Sequence, residues 1–119
     1  MKISIDKHDT KWSKMAREKK PYCENCLTKI KVLNAHHIMP RGRMSTRLDL
    51  SNALVLCVSC HVFDDTSVHE SPEGSKKFCV RIIGLKEWNR LEKLSLQYKS
   101  KEKAIKEFIA KYEETKTQI

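Results

Sequence analysis

At 119 residues, 39% hydrophobic and 33% charged, the chain has room for one compact domain with an appended helical tail, but only a small core. No apolar run approaches the roughly 18 residues of a membrane-spanning helix. The opening MKISIDKHDT lacks the apolar stretch of a signal peptide, so an intracellular, cytoplasmic protein is expected.

The formal charge of +9 is uneven. Residues 1–60 carry 12 Lys or Arg against 5 Asp or Glu, whereas residues 61–119 carry 12 against 10. A polyanion docking on the first half accounts for this; so, on charge alone, does solubility. Five cysteines in a reducing compartment are better metal candidates than disulfide candidates.

In chain order, Asp9 and Thr10 read as N-caps of a short helix through Lys19, with Trp12, Met15 and Ala16 as its buried stripe and Pro21 as its stop. Cys23 to Cys26 forms a tight knuckle. Ile30 to Ile38 is rich in β-branched and apolar residues and reads as a strand. Pro40-Arg41-Gly42-Arg43 opens a loop to Ser51, and Ala53 to Leu56 is a second short strand. A helix begins near Cys60, and Ser71-Pro72-Glu73-Gly74 breaks the chain again. From residue 76 onwards helices are expected, with stripes Leu85, Trp88, Leu91, Leu94 and, after a break at Ser95 to Ser100, Ile105, Phe108, Ile109, Tyr112. The expected organisation is a core over residues 1–75 and a helical extension over 76–119, packed on the core or binding a protein partner.

Cys23-x2-Cys26 and Cys57-x2-Cys60, with 30 residues between, are the strongest signal. Two knuckles offer four thiolates to one tetrahedral ion, and a closed sphere leaves no position for substrate, so a structural Zn²⁺ is expected. Redox or merely buried cysteines are the alternative. Cys79 fits neither knuckle and reads as a small core residue.

Between the knuckles lie His36-His37-Ile38-Met39-Pro40 and Leu50-Ser51-Asn52, and His61 follows Cys60 directly. This set, HHxxP, LSN and LCxxCH framed by two CxxC pairs, resembles the HNH endonucleases over about residues 22–65. The resemblance implies an α+β fold: a small ββα-metal core with the four-cysteine zinc site, an N-terminal helix and C-terminal helices. It further implies hydrolysis of DNA phosphodiesters with a catalytic divalent metal (Mg²⁺, Mn²⁺, Ni²⁺ or Zn²⁺). By the same likeness His36 resembles the first metal ligand, His37 the general base, Asn52 the residue that pins the loop between the strands, and His61 the ligand opening the helix. The chemistry agrees: neighbouring strand residues point to opposite faces, so one imidazole can hold a metal while the other takes a proton from water.

The third ligand stays open between Asp65, one helical turn after His61, and His69, eight residues on. Arg41, Arg43 and Arg47 are candidates for phosphate contacts, with Lys19, Lys20, Lys29 and Lys31 extending the basic track.

The flanks Asp9-Thr10-Lys11-Trp12-Ser13, Arg17, Ser45-Thr46-Arg47-x-Asp49-Leu50 and His69-Glu70-Ser71-Pro72 resemble phage recombination endonucleases of the NinG (Rap) type. That likeness implies a phage-encoded protein acting on branched recombination intermediates in the host cytoplasm. One spacing departs from it: His69 follows His61 at eight residues rather than four, as a four-residue insertion would give. The competing function is a non-catalytic zinc-knuckle module that binds DNA or protein, which needs the cysteines but not the histidines.

Overall fold

The computed structural model describes residues 5–63 and 72–117. Helix α1 spans Asp6–Lys19, strand β1 Leu33–His37, α2 Met44–Arg47, β2 Ala53–Cys57 and α3 Val58–Phe63. Helices α4, α5 and α6 follow at Pro72–Ile83, Leu85–Ser95 and Lys101–Thr117. A 3-10 turn, Leu50–Asn52, leads into β2. The α+β architecture expected from sequence is observed, with two strands at its centre, joined through α2 and the 3-10 turn, and α3 following β2 directly.

The two strands pair antiparallel, from Leu33 opposite Cys57 to His37 opposite Ala53. All five residues of β2 are buried, and their alternation divides the core. Leu54 and Leu56 face Cys23, Phe78, Cys79, Trp88 and Leu91. Ala53 and Val55 face Trp12, Ala16, Ile105 and Phe108. One five-residue strand thus separates two apolar clusters, one built by α4 and α5 and the other by α1 and α6. Burying both faces explains why β2 is uninterruptedly apolar. Its outer edge is also closed: the Glu24 N–H donates to the Val55 carbonyl at 2.8 Å, and the Val55 N–H donates to Glu24 Oε2 at 2.7 Å.

Several boundaries differ from the sequence reading. Helix α1 starts three residues before Asp9, with Ile5 as its N-cap residue and without a side-chain cap bond. Asp9 caps nothing because its carboxylate is turned to Arg47 and Arg41. Strand β1 begins at Leu33 rather than Ile30, because β2 offers only five residues to pair with. Ile30 is left 95% exposed. The loop after Pro40 contains α2 and the 3-10 turn. Pro72 opens α4 instead of breaking the chain, as proline can at a first helical position. Between α4 and α5 the chain turns at Gly84, whose φ of 90° suits a residue without Cβ. Cys79 is fully buried, as expected.

Candidate metal centre and histidine cleft

Cys23 and Cys26 lie on the turn after α1, Cys57 closes β2, and Cys60 lies in α3. Their four sulfurs all fall within 4.8 Å of one another. Cys26 Sγ and Cys57 Sγ are 3.7 Å apart. A tetrahedron with Zn–S bonds of about 2.3 Å has an edge of about 3.8 Å, so the donor set fits one tetrahedral ion. Each knuckle also folds its backbone on its first sulfur: the Cys26 N–H approaches Cys23 Sγ and the Cys60 N–H approaches Cys57 Sγ, both at 3.4 Å.

The thiols respond unequally to this crowding. Burial raises Cys23, but backbone N–H groups of Cys26, Cys57 and Asn25 outweigh it and bring the thiol down to about 6. Burial raises Cys60, the Asn25 amide opposes the rise, and the neighbouring thiols add to it, to about 12. Four adjacent sulfurs cannot all ionise without a cation between them, and a dication removes that conflict.

His36 and His37 stand on opposite faces of β1, His36 level with Leu54 and His37 level with Ala53. Both line a cleft of about 710 Å³ walled by Asp9, Trp12, Ser13 and Arg17 of α1, by Ile38, Pro40 and Arg41, and by Ser75 of α4. His37 is tightly held. Its ring stacks on Trp12 with centroids 4.0 Å apart and planes 8° from parallel. Its Nε2 lies 3.0 Å from the Arg47 carbonyl oxygen. A carbonyl only accepts, so Nε2 carries the proton and Nδ1 is the ring's acceptor. Burial lowers the His37 pKa; the Arg47 carbonyl and Asp9 oppose the shift, and Arg41 and Arg47 add to it. The ring is therefore neutral at neutral pH.

The carbonyl that holds His37 is itself fixed from three sides. The Trp12 indole N–H donates to the Asp49 carbonyl at 2.8 Å. Ser45 Oγ donates to the Leu94 carbonyl at 2.7 Å, tying α2 to the end of α5. The Arg47 guanidinium donates to both Asp9 oxygens, at 3.1 and 2.6 Å. Burial raises the Asp9 carboxyl, but Arg47 and Arg41 outweigh it and hold the group below the usual carboxylate range. Asn52 is fully buried: its Oδ1 accepts the Met39 N–H at 2.7 Å and its Nδ2 donates to the Met39 carbonyl at 3.3 Å. The turn that leaves β1 is pinned there.

The structure therefore brings together the four cysteines in one place and His36, His37 and Arg41 in another, with Asn52 behind the turn. The other two arginines are drawn aside. Arg47 is 12% exposed against Asp9, and Arg43 donates to Ser95 Oγ at 2.9 Å. Arg41 also reaches Asp9, at 3.2 Å, but is 61% exposed. Among the lysines, Lys20 pairs with Glu24 and Lys31 donates to Ser59. The backbone of His61 belongs to α3; its side chain lies outside the described residues, as do Asp64, Asp65 and His69. Asp9 and Trp12 did not stand out as site residues. Asp9 read as a helix cap and Trp12 as core; only their place in the flanking motif hinted at more.

These features define a mixed α+β domain with a four-cysteine cluster that could hold a metal ion and a histidine-lined cleft. The family model of the HNH endonucleases matches residues 23–63, from the first cysteine of the clamp through α3. Over that stretch, about a third of the chain, the protein is similar to a nuclease domain of a metal-dependent, DNA-acting class. No curated protein and no solved structure matches the chain. Among the described residues no helix is long and apolar enough to cross a membrane.

Proposed function

We propose that the protein is a metal-dependent endonuclease that hydrolyses DNA phosphodiester bonds in the cleft between α1 and β1. The observation that carries this reading is the setting of His37: a neutral imidazole, stacked on Trp12 and donating through Nε2 to a pinned carbonyl. Such a ring has one nitrogen left to take a proton, and it cannot rotate away to lose it. In this reading His37 is the general base: Nδ1 removes the proton of an attacking water as its oxygen bonds to phosphorus. His36 and His61 hold a divalent ion, with Asp65 or His69 completing the set. When bound, that ion supplies positive charge to the phosphate oxygens and the leaving oxygen. Asn52 keeps the turn after β1 in place, and Arg41 offers a guanidinium to the backbone next to the cut. The cysteine cluster, filled by Zn²⁺, has a structural role. The cleft-lining positions Asp9, Trp12, Ser13 and Arg17 belong to the flanking motif, which supports branched recombination intermediates of a phage setting as substrate, with nicking of duplex DNA as the simpler activity.

Supercoiled plasmid and synthetic four-way and flap DNA, incubated with Mg²⁺, Mn²⁺ or Ni²⁺ and with a chelator control, test the proposal. Metal-dependent nicking or cutting that is lost in His37→Ala is expected. Binding without cleavage under every metal would instead assign the chain to the zinc-knuckle binding modules.

A further inference from the structure

A polar chain of three residues joins the cysteine cluster to the C-terminal helices. Asn25, inside the first knuckle, donates through Nδ2 to Cys60 Sγ, the last sulfur of the second knuckle, at 3.2 Å. The same amide accepts at Oδ1 from Arg81 Nη2 of α4 at 2.8 Å. The Arg81 guanidinium is held over the Phe78 ring, 5.1 Å from its centroid, one turn earlier on the same helix. Phe78 and its neighbour Cys79 pack in the cluster that contains Cys23 and Cys57.

The chemistry of this chain matches the charge of the cluster. Four thiolates around a dication carry a net charge of –2, and Cys60 is one of the two cysteines that are not fully buried. An amide N–H on its sulfur reduces the electron density there and slows loss of the ion to protons or competing ligands. The amide oxygen, facing Arg81, is polarised so that the N–H donates more strongly. Outer partners of this kind orient and tune metal ligands generally.

We propose that Asn25 and Arg81 form the outer hydrogen-bonded shell of the cysteine-bound metal, with Arg81 acting through Asn25. The C-terminal extension thereby takes part in holding the ion. Both are positioning residues, and the proposal does not depend on the nuclease reading.

Chelator competition on the full chain, under reductant and with zinc as the metal, gives the test; helicity is followed in the same samples. Asn25→Ala and Arg81→Gln should each weaken zinc retention, by roughly 10–100-fold for the amide, while the zinc-saturated proteins stay folded. In the Asn25→Ala background, Arg81→Gln should add nothing. Asn25→Asp separates the two contacts: it keeps an acceptor for Arg81 but loses the donor to Cys60, so it should lose zinc as readily as Asn25→Ala. The proposal is overturned if Arg81→Gln matches the exposed control Arg90→Gln. It is equally overturned if Arg81→Gln retains its full effect without Asn25, or if Asn25→Asp binds zinc as tightly as the wild type. Should Asn25→Ala fail to fold with zinc, the Asn25→Asp and Arg81→Gln pair still decides the matter.

Discussion

Replacing Arg47 with alanine should lower stability first and DNA affinity only through that loss. The guanidinium donates to both oxygens of Asp9, and the two side chains are 12% and 14% exposed. Hydrogen bonds to charged groups contribute about 1.5–3 kcal/mol, and stripping one partner from a fully buried ion pair costs about 3–5 kcal/mol. Arg41 stays beside Asp9 after the change, so the lower range applies, about 1.5–3 kcal/mol. In a chain of this size each kcal/mol lowers the melting temperature by about 4 °C, so a fall of ~10 °C is expected. Arg41→Ala is the contrasting case. It should leave melting nearly unchanged but reduce the salt dependence of DNA binding by about 0.9 in the log–log slope, one phosphate contact. Thermal melts and salt titrations of both variants measure the two effects separately. If Arg47→Ala melts like the wild type and loses one unit of salt slope, the Arg47 guanidinium leaves Asp9 for the phosphate, and the structural role of the Arg47–Asp9 pair is refuted.

Cys57→Ser should fail to hold one zinc per chain and should unfold, because metal binding and folding are one process here; a folded, zinc-free variant would refute the structural role of the cluster. His37→Ala should still bind the divalent ion while cleavage falls by roughly 10²–10⁴-fold, whereas His36→Ala should bind the ion more weakly, a loss that added metal partly restores. Metal titrations of binding and of rate on the same samples separate the two, and a fully active His37→Ala would remove it as the base. His8 and His37 both have folded pKa values below the ordinary 6.5, His8 through burial, then Lys7 and Lys11, against an opposing pull from Asp9. The unfolded chain binds these protons more readily, so their contribution is complete above the unfolded value and is lost as pH falls through the folded one. Among the described residues His8 Nδ1 is buried without a hydrogen-bond partner, so His8→Phe should flatten this slope in urea unfolding and leave stability at neutral pH equal or higher. An unchanged slope would count against it.

The parts of the structure that sequence conveyed are those set by local chemistry. Cysteine spacing announces a four-sulfur cluster because two thiolates three positions apart can face the same point. The five apolar residues of β2 announce burial on both faces. The two histidines announce opposite faces because strand side chains alternate. What sequence conveyed poorly depends on distant partners. Asp9 looks like a cap until Arg47, 38 positions later, takes its carboxylate. Ile30 looks like strand until the length of β2 is known. Arg43 and Arg47 look like free phosphate ligands until Ser95 and Asp9 are placed beside them. Asn25 is an ordinary knuckle residue in the sequence, and only the return of α4 reveals what its amide oxygen faces.

Glu24 gives the first knuckle a consequence outside metal binding and catalysis. A two-stranded sheet has two open edges, and an open edge on an apolar strand is a template for pairing with another molecule. The backbone and carboxylate of Glu24, one residue after Cys23, occupy that edge at Val55. When the ion leaves and the knuckle loosens, the sequence Ala-Leu-Val-Leu-Cys loses its cover at one side. The metal-free protein should therefore self-associate into β-rich aggregates as concentration rises, so that the cysteine clamp governs colloidal behaviour as well as folding.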